Sequence, residues 1–265
     1  MLPGFYTLTE HPAELPLVAR VLQQRVLPES VISHATAAQV LQVPVPLEHQ
    51  HDHSGVVHVT VPPSGPRRAG PHVVVHGRAP AGTVRWAGLV LSDPLAVLCE
   101  LAPSLTAAEL VAACDHLLGP KAPRPAWRRA DDLREEARRA TGVHGIVPVR
   151  RALGEARAGV ESPKETELRL LLLAAGFSEP RINVEVLARG SHERFRLDLS
   201  YREPLIAIEY DGDWHRTDRR RFRRDRRKDD VLHELGWHVV RATDADLLDP
   251  RALLDRLRHL GAPRR

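Results

Sequence analysis

The chain has 265 residues, 43% of them hydrophobic, enough to bury a sizeable core and to lean toward two domains rather than one. Its two cysteines, Cys99 and Cys114, lie apart in apolar surroundings without metal-ligand spacing, which excludes a disulfide framework and a cysteine zinc cluster and fits a reducing cytoplasm. The formal net charge of +4 is concentrated: residues 216–228, RTDRRRFRRDRRK, hold nine basic and two acidic side chains, so the remainder carries about −3.

The opening MLPGFYTLTEHPAELP lacks a basic leader followed by an apolar stretch, and the longest apolar run, LRLLLLAAGF, is far too short to cross a bilayer. A soluble, cytoplasmic protein is expected. Residues 36–43 predict a short helix. VVHVT (56–60), HVVVH (72–76) and RWAGLVL (85–91) predict strands separated by turn-rich segments. HQHDH at 49–53 is a possible metal cluster, but alternating histidines in a proline-bounded loop read better as surface decoration. DPLAVLCELA and TAAELVAACDHLLG predict helices capped by Asp93 and Thr106. KAPRPA breaks the chain before a charged helix, ADDLREEARRATG. Residues 1–150 thus form a mixed α/β N-terminal domain, with a boundary somewhere in 141–161.

From Ser162 the pattern sharpens. SPKE places a hydroxyl at the N-cap, proline at the first helical position and glutamate at the third, followed by Leu168, Leu171 and Leu172 at helical spacing, until Gly176 stops the helix. RINVEVL (181–187), RFRLDLS (194–200) and LIAIEY (205–210) predict a meander of three strands. A basic helix over 217–235 then carries the chain to a fourth strand, WHVVRA (237–242), parallel to the third, and DPRALLDRLRHL closes as a helix. Residues 161–265 are expected to form an αβββαβα domain with a four-stranded mixed sheet.

Alternation in the second strand places Phe195, Leu197 and Leu199 on one face and Arg196, Asp198 and Ser200 on the other. A turn centred on Glu203–Pro204 sets Asp198 opposite Glu209. Like charges directly opposed across a ladder are destabilising unless a cation lies between them, and carboxylate oxygens suit magnesium. Each acid also has a plainer reading. Asp198 could pair with Arg194 or Arg196 in solvent, Glu209 could end a strand in water, and Glu165 completes a capping box. Asp211-Gly212 is a common turn pair. The arginine helix is either a solvated face or a phosphate-contacting one, and the self-repulsion of dense positive charge favours the second.

Residues 162–246 resemble the very-short-patch-repair endonuclease-like (Vsr-like) branch of the PD-(D/E)xK nuclease superfamily. The pieces that carry this are SPKETELRLLL, FRLDLSY, IEYDGDWH and DRRKDDVLHELGWHVVRAT, where Asp225, Lys228, Leu232, Gly236 and Arg241 fall at the spacing of such domains. The resemblance implies a restriction-endonuclease-like fold and a metal-dependent DNA endonuclease of repair or defence. Magnesium, or manganese, would be bound by Asp198 and Glu209 with Glu165 assisting. Asp211 and His215 match the family's acid-glycine-histidine turn. The lysine expected two positions after Glu209 is Asp211, which leaves the general base open between His215 and, second, Lys228. Arg216, Arg220, Arg223, Arg224 and Arg227 would contact phosphates. The alternative is a nuclease-derived module that binds nucleic acid or a toxin partner without cutting. VISHATAAQVLQVPVP with HVTVPPSG is similar to the effector part of abortive-infection-type antitoxin regulators, without their usual winged helix, and implies a possible protein partner for the N-terminal domain.

Overall fold

The computed structural model describes residues 14–122, 130–212 and 219–265, the side chains of 130 and 219–223 excepted. The chain divides into two compact units, Met1–Ala158 and Gly159–Arg265. Both are mixed α/β. Among the described residues no helix is long and apolar enough to cross a membrane.

The N-terminal unit is built on a five-stranded mixed sheet. It opens with α1 (Leu15–Val21), which runs on as a π-helical turn over Leu22–Val26, then β1 (Val31–Ile32) and α2 (His34–Val40). A 3-10 turn at Leu47–His49 and the short α3 (His51–Ser54) lead into β2 (Val57–Val61) and β3 (Val73–Gly77). A hairpin of β4 (Thr83–Trp86) and β5 (Leu89–Ser92) follows, and the sheet order is β3-β2-β1-β5-β4. The single strand expected over 85–91 is therefore two. Ala87 and Gly88 both take positive φ, 51° and 78°, the backbone of a two-residue hairpin turn whose handedness matches the strand twist. Alanine is an uncommon residue at such a position, which hid the turn.

Four helices complete this unit: α4 (Pro94–Leu101), α5 (Ala107–Leu118), α6 (Ala130–Arg139) and α7 (Ile146–Glu155). The expected caps form. The Asp93 carboxylate accepts from the Ala96 N–H at 2.8 Å, and Thr106 with Glu109 makes a full capping box. Helix α7, in the stretch read only as a boundary, carries Pro148 in its first turn, where no intrahelical bond is lost.

The C-terminal unit runs α8 (Pro163–Ala174), β6 (Arg181–Leu187), β7 (Arg194–Tyr201), β8 (Ile206–Tyr210), α9 (Arg219–Glu234), β9 (His238–Ala242), α10 (Asp244–Leu248) and α11 (Arg251–His259). Its sheet order is β6-β7-β8-β9, antiparallel except for the parallel pair β8/β9. One face buries Leu168 and Leu172 of α8 with Leu199, Ile206, Ile208 and the α11 residues Leu253 and Leu257. The other buries Leu232 and Val231 of α9 with Ala207, Leu197, Phe195 and Trp237. Gly236, at φ 82°, ends α9. Its left-handed backbone lets the Trp237 N–H return to the Leu232 carbonyl at 2.9 Å and turns the chain into β9.

The strict alternation expected of β7 does not hold. Leu199 packs toward α8 and α11, whereas Phe195 and Leu197 pack toward α9. The β6/β7 pairs run Arg181↔Ser200 and Ile182↔Leu199, then resume at Val184↔Leu197, skipping Asn183 and Asp198. Asn183 sits at φ 50°, and this local reversal of backbone sense exchanges the faces of both strands at that level.

Candidate active site

The interruption of the sheet at Asp198 creates the site. β7 and β8 pair as Tyr201↔Ile206, Ser200↔Ala207 and Leu199↔Ile208, the register that a turn at Glu203–Pro204 implies. The next step brings Asp198 level with Glu209, and there side chains replace the ladder. The Asp198 N–H reaches Glu209 Oε1 at 3.4 Å, and the Tyr210 N–H donates to Asp198 Oδ2 at 3.0 Å. Each acid is held by the strand opposite it, so their separation is set by backbone rather than by rotamer choice.

The cation beside them comes from α9. Lys228 Nζ donates to Glu209 Oε2, and both side chains are about five-sixths buried, at 17% and 16% exposure. Helical spacing explains its aim: Val231 and Leu232, three and four residues on, are wholly buried against the sheet, so Lys228 shares their face one turn nearer the opening. Its neighbour one turn further back is Arg224, which is exposed. The ammonium occupies the role that opposed carboxylates require of some positive charge.

Burial raises the pKa of both acids. For Asp198 the Tyr210 N–H and the Lys228 charge pull the other way; for Glu209, pushed up to about 7, the Asp198 charge adds to burial and Lys228 opposes it. Glu165 is buried at the start of α8. Its Oε1 accepts from the Ser162 hydroxyl and its Oε2 from the Glu161 N–H, both at 3.0 Å, and its own N–H donates to Ser162 Oγ at 3.2 Å. Ser162 thus caps the helix, but the carboxylate takes the N–H one residue before the N-cap, so the reciprocal box expected is not formed. It also lies near enough to Asp198 for that charge, after burial, to raise its pKa. One carboxylate thus secures the helix start and contributes to the field at the site.

The remaining sequence candidates fall elsewhere. Asp211 faces Arg241, at 3.4 Å, and Arg241 in turn pairs with Asp229 at 2.5 Å, so Asp211 belongs to a half-exposed ion-pair chain. His215 and Arg216 lie outside the described residues. Arg220 and Arg223 are on α9 by backbone, and their side chains are outside the described set. Arg224 and Arg227 are exposed, and Arg227 Nε donates to Glu193 Oε2 at 3.3 Å. The sequence reading missed the pair Glu161–Arg196, at 2.5 Å. The exchange of faces at Asp198 is what carries Arg196 toward the start of α8, and only the φ of Asn183 signals it.

Among the described residues, no three of these acids bring donor oxygens within 4.8 Å of one another. The set of three that does so is His34, His58 and His76 in the N-terminal unit. Among the described residues, the histidines at 49, 51 and 53 form no such set.

No family model matches the chain, and no solved structure matches it. It is similar to the uncharacterized proteins MT2308 and Rv2248 of two Mycobacterium tuberculosis strains, CDC 1551 and H37Rv. Each is 29% identical over 195 residues, covering 72% of this chain and 69% of the relative.

Proposed function

We propose that the C-terminal unit is a metal-dependent endonuclease of the restriction-endonuclease-like PD-(D/E)xK class, hydrolysing phosphodiester bonds of DNA in repair or defence. The observation that carries this reading is the half-buried constellation Asp198, Glu209 and Lys228, at the point where two paired strands part. Two carboxylates at one opening are a donor set of hard oxygens, which fits magnesium or manganese better than softer ions. Such an ion, held by Asp198 and Glu209, would supply charge that polarises a phosphoryl oxygen and acidifies a bound water.

The chain's own residues do the rest. Asp198 and Glu209 orient the reacting end of the site, and their fixed spacing removes the need to reorganise on substrate arrival. Lys228 steadies negative charge on the transferring phosphate and is the described group placed to move a proton there. Glu165 holds the start of α8 against Asp198. Arg224 and Arg227, on the same helix as Lys228, position the phosphate backbone and carry no sequence information.

A second reading, a weakly active or inactive module that binds nucleic acid or a partner protein, has one observation in its favour. Asp211 stands where the superfamily usually has lysine, and it is engaged by Arg241. A nicking assay on supercoiled plasmid with magnesium or manganese, wild type beside Asp198→Ala, separates the two. Nicking that disappears in the variant supports the nuclease. Duplex binding without nicking in either protein supports the module.

A further inference from the structure

Three histidines distant in sequence meet at one end of the N-terminal sheet. β2 and β3 pair in parallel with His58↔Val74 and Thr60↔His76, so His58 and His76 lie two residues apart on the same face of neighbouring strands. His34 opens α2, directly after β1, whose Ile32 pairs with Val59. The junction is tied down from several sides: the Ser33 N–H donates to the His58 carbonyl at 3.1 Å, and the His58 N–H donates to Thr36 Oγ1 at 2.8 Å. His34 takes φ 51°, uncommon without glycine, and its N–H is held by Glu100 Oε2 at 2.8 Å.

The rings stack, with centroids 3.6 Å apart for His34 and His76 and 5.4 Å for His58 and His76. His58 Nδ1 and His76 Nε2 are 3.1 Å apart. Two nitrogens bound to one tetrahedral zinc at about 2.05 Å stand roughly 3.3 Å apart, so this pair is already close to a coordination edge. Arg78 Nη2 lies 3.3 Å from His34 Nε2, and a guanidinium only donates, so that nitrogen carries a lone pair. The Nδ1 of the same ring faces Ser33 Oγ at 3.0 Å and Glu100 Oε2 at 3.6 Å, the carboxylate-to-imidazole support usual behind a metal-bound histidine. Glu100 is itself paired with Arg78 at 3.2 Å, which offsets the guanidinium charge, and it accepts from Ser92 at 3.1 Å.

We propose that His34, His58 and His76 form a three-imidazole site for one divalent transition-metal ion of the zinc class, with the fourth position open to water or an exogenous ligand. All-nitrogen donors exclude a magnesium preference and suit zinc, cobalt or nickel. Binding replaces two hydrogen bonds: the proton between His58 and His76 moves to the far nitrogen of the ring that carried it, and the Arg78 N–H leaves His34 Nε2 while the guanidinium stays paired with Glu100. The rings fan from their stack by rotation about their side-chain bonds, on a backbone already in place. This site stands independently of the carboxylate site.

The full chain, stripped with chelator, is titrated with zinc by calorimetry and with cobalt(II) by visible absorption. One ion per chain and tetrahedral cobalt bands are expected. His58→Ala and His76→Ala should each weaken zinc binding more than about a hundredfold, while His53→Ala leaves it unchanged. Should the alanine variants unfold, the wild type still decides: slow-exchange shifts of three histidine ring resonances on adding zinc support the site. A wild type that takes up no zinc, or zinc bound equally by the folded histidine variants, overturns it and makes the trio a packed, hydrogen-bonded stack.

Discussion

The two units gather titratable side chains by the same means and with opposite electrostatic results. In the C-terminal unit, burial and mutual repulsion raise the pKa of Asp198 and Glu209, and a lysine is drawn in against them. In the N-terminal unit, burial first and neighbouring positive charge second lower His34 to about 2 and His76 to about 4, and lower His58 as well. Desolvation favours the uncharged form in both places, but for acids that form is protonated and for imidazoles it is not. A cation at the acid site must therefore displace protons or Lys228. At the histidine site the groups to be displaced are neutral-ring hydrogen bonds instead: the proton between His58 and His76 and the Arg78 N–H at His34 Nε2.

The largest effect that tests this contrast is on cleavage. Asp198→Asn or Glu209→Gln should lower metal-dependent plasmid nicking by more than about a hundredfold, with the fold intact. Unchanged nicking in either variant removes the site assignment. Lys228→Met should come next, reducing nicking by roughly a hundredfold, toward the low end of the range for a lost proton-transfer group. It should also lower the melting temperature of the metal-free protein, because two partly buried carboxylates lose their countercharge. A Lys228→Met protein that melts higher contradicts the claim that Lys228 relieves the pair.

The pH dependence of stability in metal-free protein sharpens the comparison further. Glu209 is raised on folding, so its contribution is full below the unfolded value near 4.5 and is lost as pH rises through about 7. His76 is depressed, so its contribution is present above 6.5 and is lost as pH falls toward about 4. Each effect is on the order of 1 kcal/mol after solvent screening. Glu209→Gln should flatten the alkaline side of the stability curve and His76→Gln the acid side, as measured by denaturant midpoints across pH 4 to 8. Reversed assignments would show that the two clusters are not what shapes the curve. The smallest effect is electrostatic: Arg224→Gln with Arg227→Gln should flatten the salt dependence of duplex binding by up to about two units, alike for all sequences. An unaltered slope makes these two arginines a solvated surface.

Parts of the C-terminal unit were legible because their determinants are local. Ser162 and Glu165 are three residues apart, and the cap they form is a property of one helical turn. The turn at Glu203–Pro204 numbers the rungs of the β7/β8 ladder, so the pairing of Leu199 with Ile208 follows from chain distance alone. The face exchange of β7 was not legible, because it depends on a left-handed Asn183 in a different strand. The HQHDH segment drew attention by density of histidines, yet the converging rings come from positions 34, 58 and 76, with no spacing that a periodic pattern would reveal.

The amino-acid sequence by itself determined the element order of the C-terminal unit apart from the short α10, which it missed, the cap of α8 and the cross-strand opposition of Asp198 and Glu209. Turn position, twofold strand period and helical capping act within a few residues of the groups they place. Tertiary structure alone decided that Lys228 reaches Glu209, that Asp211 goes to Arg241 and that three histidines meet beside Glu100. Those contacts join elements whose separation is set by how buried faces pack, and the Leu232 face of α9 and the parallel pairing of β2 with β3 become definite only when the sheets are assembled.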